Sequence, residues 1–483
     1  MVGKTDKKCV NMVGKTDKFY TFVVGKTEKY MIKRKIINRL ENFYKSTEKA
    51  MLITGARQVG KTYAIRQFGR TNFSCFVEFN FLENQEARRI FSETSNVKDV
   101  LLRISALSST DLKKGDTLVF FDEVQECPEL VTMLKFLVEE GSYRYILSGS
   151  LLGVELKDIR SIPVGFMSIE EMFPLDFEEF AKATGLSDEV WNYLKKSYDD
   201  RTKVDEVVHR QILQLFRMYL SVGGMPAVVD DYLKMNNLKT YSAVQKGILQ
   251  TYKKDIAKYD IEEKLLLNDI FDLIPSELNA KNKRFILKNM NENAKFSRLE
   301  NSFLWLKDAG VALPVFNVEE PKIPLLLSKS RNLFKLFSSD VGLLVCQYGS
   351  AAQLAVTMED TNLNNGALYE NVVAQELRAH GFQLFYFNSK KQGELDFVVE
   401  YNNKVLPIEV KSGKDYKRHS ALSNVLESSQ YNISHAIVFS NGNLECVGAV
   451  DYLPIYMVAF LQIDETPDVQ MKNDFSDIVL PSL

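Results

Sequence analysis

The chain has 483 residues, 45% hydrophobic and 26% charged, an ordinary globular composition with room for about three domains. A formal net charge of −2 excludes a global attraction for nucleic acid, so any such contact needs a local basic patch. The five cysteines (Cys9, Cys75, Cys127, Cys346 and Cys446) are scattered without a CxxC pair, which excludes a disulfide framework or zinc ribbon and fits a reducing cytoplasmic setting. The most apolar late stretch, Leu453 to Leu461, is too short to span a bilayer, and the lysine-rich N-terminus lacks an apolar signal core. No membrane partner is expected.

The chain opens on a repeat: VGKTDK from Val2, VGKTDK from Val13 and VGKTEK from Val24, with a period of eleven residues. Each copy looks like the end of a phosphate-binding loop but lacks the glycine four residues before its own GK. The repeats therefore read as decoys in a polar, disordered tail. Met31 begins an amphipathic segment, so the tail reads as an extension upstream of the true start. Abundant native protein beginning at Met1 in a mass spectrum would overturn that expectation.

From Glu48 to about Phe180 strand and helix patterns alternate, which predicts a mostly parallel sheet. Met51 to Thr54 is a short apolar strand entering GARQVGKT: Gly55, Ala56, Arg57, Gln58, Val59, Gly60, Lys61 and Thr62. This is the complete P-loop pattern, and Tyr63 continues into a helix predicted to end at Phe68 with Gly69 as its cap. Gly55 and Gly60 let the backbone wrap close to a polyphosphate, Lys61 brings a charge to the β- and γ-phosphates, and Thr62 offers a hydroxyl to Mg2+. A second strand follows at Cys75 to Phe81, then helices near Gln85–Ser92 and Val97–Leu107. The run TLVFFDEV from Thr117 is four apolar residues ending in Asp122 and Glu123, the Walker B pattern. It places Asp122 near the magnesium and Glu123 near the attacking water. The strand Tyr143–Ser150 ends in polar residues, and Ser148 and Ser150 are both candidates to sense the γ-phosphate. Arg160 is a candidate arginine finger.

These residues, with FPLDFEEF from Phe173 and VGGMP from Val222, resemble the prokaryotic AAA+ ATPases that carry a restriction-endonuclease-like C-terminal domain of unassigned function. The resemblance runs from Met31 to about Leu461 and implies an ATPase sheet, a helical lid and a winged helix. Helical periodicity over 181–278 fits the lid. Residues 279–345 fit a winged helix and linker, where Lys281, Lys283, Arg284, Lys288, Lys295 and Arg298 either touch DNA phosphates or form a solvated face.

A second constellation lies in 346–461. Glu394–Tyr401 and Lys404–Lys411 are strand-like runs joined by Asn402–Asn403, which suit a two-residue hairpin turn. In that register Asp396 faces Glu409, and Glu394 faces Lys411. Phe397, Val399, Ile408 and Val410 take the other face. Neighbouring carboxylates repel unless a cation lies between them, and hard oxygen ligands suit Mg2+ or Mn2+. The set is similar to the PD-(D/E)xK nuclease core, with Asp396, Glu409 and Lys411 in the D…ExK positions and Leu395 where that core usually has proline. The resemblance adds Glu370 from a preceding helix as a metal ligand and puts Lys411 near a scissile phosphate. The competing reading is a relic whose carboxylates and lysine pair with each other.

The expected fold is α/β, with these limits: repeat tail 1–30, ATPase domain 31–180, lid 181–278, winged helix 279–345, nuclease-like domain 346–461 and tail 462–483. The expected function is ATP hydrolysis, with Thr62 and Asp122 on Mg2+, coupled to a DNA-contacting C-terminal domain. The alternatives are a nucleotide-gated binding or signalling module, and a metal-dependent nuclease for which ATP is a structural ligand. Self-association is left open, since no subunit interface is legible.

Overall fold

In a computed structural model of the chain, residues 9–12, 32–94, 96–108, 111–149, 165–256, 261–280, 302–303, 305–358 and 365–463 are described. Ser150, Arg160 and the six basic residues between Lys281 and Arg298 lie outside them, as do most of the repeat tail and the C-terminal tail after 463.

The first sheet is built from β1 (Cys9–Met12), β2 (Ala50–Thr54), β3 (Cys75–Asn80), β4 (Thr117–Asp122), β5 (Arg144–Ser148) and β6 (Met167–Glu171). Its order is β1-β3-β4-β5-β2-β6, and every neighbouring pair is parallel. β2 to β5 are mostly apolar because both faces are covered, and the one charge inside β3, Glu78, is paired with Arg66. One face carries α1 (Lys35–Ser46) and α2 (Lys61–Asn72), and the other α3 (Gln85–Ser92), α4 (Val97–Leu107) and α5 (Pro128–Glu140). β1 corrects the expectation of a wholly disordered tail: four repeat-region residues extend the sheet edge beside β3, a main-chain pairing that needs no strand-like sequence pattern. A second correction concerns Gly69, which does not cap α2. The helix continues to Asn72, and a Cβ on Gly69 would stand 2.3 Å from the Phe76 ring, so this glycine serves close helix–sheet packing.

Between Phe177 and Asn279, the stretch assigned mostly to a lid, the described elements are helices: α6 (Phe177–Ala183), α7 (Asp188–Asp199), α8 (Glu206–Val222), α9 (Pro226–Met235), α10 (Leu238–Ile256) and α11 (Ile261–Asn279). Between α8 and α9, Gly223 (φ 78°) and Gly224 cross two other chain segments. A Cβ on Gly224 would sit 2.0 Å from the Leu175 carbonyl oxygen, and one on Gly223 would sit 2.3 Å from Asp340 Oδ1.

The C-terminal sheet redraws the expected domain limits. β7 (Ala312–Val318) and β8 (Lys329–Ser338), the strands assigned to a separate winged helix, join it. It also holds β9 (Phe385–Ser389), β10 (Gly393–Tyr401), β11 (Lys404–Val410), β12 (Ala436–Ser440), β13 (Glu445–Val447) and β14 (Val450–Pro454). The order is β13-β14-β12-β11-β10-β9-β7-β8, because β7 finds an open parallel edge on β9. The expected limit at 345 cuts α12 (Val341–Tyr348), which is followed by α13 (Ser350–Thr357) and α14 (Gly366–Ala379). One continuous apolar core runs from Leu40 and Phe68 through the lid to Val399 and Phe460. The apolar stretch before Leu461 is a buried 3-10 turn, and among the described residues no helix is long and apolar enough to cross a membrane.

Candidate functional site

The P-loop leaves β2 at a position only glycine can hold. Gly55 has φ 125°, and a Cβ there would lie 2.2 Å from the Met172 carbonyl oxygen. Gly60, at φ 94°, starts α2. Between them Gln58 also takes a left-handed conformation, so the loop's N–H groups wrap round the helix start. The Lys61 ammonium is buried and folded back on its own loop, donating to the carbonyls of Gly55 and Ala56 at 2.9 Å each. Burial pushes it down to about 8 although Glu123 and Asp122 oppose this.

Asp122 lies at the end of β4, two strands from β2 with β5 between. The Thr62 hydroxyl donates to it at 3.1 Å, the Asn80 amide at 3.0 Å, and the Ser148 hydroxyl in a very short contact. Burial pushes its carboxyl up to about 6, against the hydrogen bonds from Ser148 and Thr62. Thr62 and Asp122 thus form a pair of hard oxygen donors beside Lys61, a donor set that fits Mg2+ bound with a nucleotide. Glu123 follows in a left-handed conformation (φ 53°), which turns its half-buried side chain out of the strand line to accept from Gln125 at 2.6 Å. Tyr63 points outward, 52% exposed.

The loop is held from outside by residues that sequence reasoning missed. Arg34, just before α1, donates to the Val59 carbonyl at 2.7 Å, to the Phe173 carbonyl at 2.7 Å and to both carboxylate oxygens of Glu179 at 3.2 Å. From the lid, Asp255 takes Arg57 in an ion pair of 2.5 Å and Tyr252 donates to the Arg57 carbonyl. Gly310 stands so close to the loop that a Cβ on it would lie 2.8 Å from the Ala56 nitrogen. Asn80 had one legible signal, a polar residue ending an apolar strand; Arg34 had none.

Residues 47–181 match the sequence family described as "AAA domain". The N-terminal domain is an AAA-type P-loop domain. Residues 213–354 and 365–457 match two further families, each described as a domain of unknown function. An uncharacterised protein of Methanocaldococcus jannaschii is 25% identical over 386 residues, covering 77% of each chain. Among solved structures, the Walker-type ATPase PABY2304 of Pyrococcus abyssi is 14% identical, with a TM-score of 0.42, 66% of this chain covered and 97% of that one. The Aeropyrum pernix ORC1 protein, solved with DNA, is 13% identical, with a TM-score of 0.28, 67% and 91% covered.

In the C-terminal sheet the hairpin has the expected register, with Phe397 opposite Ile408 and Tyr401 opposite Lys404, and Asn402 and Asn403 both at positive φ. Lys411 pairs with Glu409 at 2.8 Å, and one oxygen of Asp396 accepts from the Val410 N–H at 2.9 Å. Burial and neighbouring Asp396 push the Glu409 carboxyl up, with Lys411 opposing. Glu370 points into this cluster from α14 and is 2% exposed. The unforeseen member is Lys335 on β8. The sheet curls until β8 lies over β10, with the Phe337 and Phe397 rings 5.6 Å apart, and this brings the Lys335 ammonium among the acids. It stands 3.0 Å from Glu394, 3.7 Å from Glu370 and 4.0 Å from Asp396. Glu394, expected across from Lys411, pairs with Lys335 instead. Among the described residues no three Asp, Glu, His or Cys side chains converge as a metal-binding group, and the donor set does not fit Mg2+ or Mn2+.

Proposed function

We propose that this protein binds and hydrolyses ATP and passes its nucleotide state through the lid to the C-terminal sheet. The observation that carries this is the grouping of Lys61, Thr62, Asp122 and Glu123 at the C-terminal edge of a parallel sheet, beside the helix start that favours anions. Lys61 leaves the carbonyls of Gly55 and Ala56 to pair with the β- and γ-phosphates, the loop N–H groups hold the phosphate oxygens, and Glu123 orients the attacking water. Bound Mg2+ would neutralise charge at those phosphates, with Thr62 and Asp122 as its protein ligands. Ser148 and Asn80 fix the Asp122 carboxylate, a positioning role.

For the C-terminal domain we favour the binding or signalling reading over cleavage, supported by the ammonium ion among its acids. DNA remains the partner to test, since the sequence from Lys281 to Arg298 is rich in basic residues. The deciding experiment is an ATPase assay on wild type beside Lys61→Ala and Glu123→Gln, with a Mg2+ and Mn2+ nuclease assay on the same preparations. ATP turnover in wild type that neither substitution lowers would overturn the reading. So would metal-dependent cleavage lost in Asp396→Ala, for the C-terminal part.

A further inference from the structure

We propose that Lys335 is the resident cation of the C-terminal acidic cluster, taking the space a divalent ion would need and holding the cluster assembled without one. The ammonium is wholly enclosed, at 0% exposure, and its four-carbon stem comes from a strand on the far side of the curled sheet. Three carboxylates from two elements face it within 4.0 Å: Glu370 on α14, and Glu394 and Asp396 on β10. The Tyr386 ring lies 5.1 Å from the same nitrogen, the geometry of a cation held over an aromatic face.

A divalent ion bound by these carboxylates would sit about 2.0–2.6 Å from their oxygens. That would put two like-charged centres in one enclosed space. Lys335 has no solvent-exposed position to retreat to without breaking the packing of β8 on α14, where Ser338 and Asn371 exchange two hydrogen bonds. Three of the acids have further partners. Asp396 takes the Val410 N–H, Glu394 takes the Asn388 amide, and Glu409 takes Lys411. Lys335 also explains how so many buried acids tolerate each other, since an unpaired buried carboxylate is strongly unfavourable. The cluster is thus a permanent ionic joint between β8, β10 and α14. This inference stands apart from the nucleotide site, and its test is run without nucleotide.

The test is Mn2+ titration of the nucleotide-free full chain, reading free Mn2+ by electron paramagnetic resonance. Wild type and Asp396→Asn should bind Mn2+ alike, with no site tighter than roughly 1 mM. Lys335→Ala, or the closer-fitting Lys335→Gln, should gain one site at least about tenfold tighter, because an opposing charge has gone. That site should vanish in Lys335→Ala/Asp396→Asn. Wild-type binding weakened by Asp396→Asn overturns the proposal, and that comparison needs no Lys335 variant to fold. A folded Lys335 variant that gains no site overturns it too.

Discussion

Lys61 and Glu123 make separable contributions at the level of single residues. Lys61 is a point charge whose removal leaves the phosphates without their nearest cation, so Lys61→Ala should lose ATP binding and turnover together. Glu123 accepts from Gln125, and Glu123→Gln keeps its size and that contact while removing the charge. Turnover should then fall by about 100- to 10,000-fold with binding retained, measured as single-turnover hydrolysis beside a nucleotide-binding titration. Arg34 differs from both because it meets the loop from behind. Truncating it leaves the buried Glu179 without its guanidinium partner, so Arg34→Ala should cost about 3–5 kcal/mol in unfolding experiments. Replacing both partners by apolar residues should recover much of that loss. These residues also mark the limit of what the sequence makes legible. Gly55 to Thr62 and Asp122 declare themselves because spacing along one loop and one strand fixes them. Arg34 and Lys335 act across folds of the chain far from their own positions, and no local pattern distinguishes them from surface cations.

At the scale of elements, the loop carrying Gly223 and Gly224 shows how three segments are locked together. Asp340 caps α12 by accepting the Leu343 N–H at 2.9 Å and also accepts the Gly224 N–H at 2.6 Å. Burial pushes its carboxyl up to about 6, with those N–H groups pulling the other way. A raised folded value means that the folded state holds the proton more tightly than the unfolded one. The contribution to stability is therefore complete below pH 3.8 and is lost as pH rises through about 6. Urea unfolding should show wild type losing about 3 kcal/mol relative to Asp340→Asn across that window. The hairpin at Asn402–Asn403 was legible because a two-residue turn fixes every pair that follows it. The placement of β7 and β8 was not. A hairpin pattern gives its own register, while which sheet edge it joins depends on the open strand elsewhere, here β9.

For the whole molecule, the shared apolar core means that the ATPase sheet, lid and C-terminal sheet are not independent bodies. Unfolding should follow one dominant transition, and a nucleotide bound at the P-loop should raise the melting temperature of the C-terminal sheet as well. Hydrogen exchange on β10 and β11, with and without a non-hydrolysable ATP analogue, checks this: protection confined to residues 47–181 would contradict it. The parallel sheet was legible from alternating patterns because each strand there is a local run between two helices. A core shared between distant segments leaves no such mark.

Gly310 gives that coupling a place to act. Its turn precedes β7, the strand through which the second sheet begins, and it rests against the backbone nitrogen of Ala56. The tolerance there is smaller than one methyl group. On the proposed function, a phosphate that draws Ala56 towards itself would press on the seat of β7, and a shift of β7 would in turn alter the shape that Ala56 offers to a phosphate. Gly310→Ala should consequently behave as a nucleotide-site mutation made from the other end of the protein, weakening ATP binding, read by a nucleotide titration, with the P-loop sequence itself unchanged.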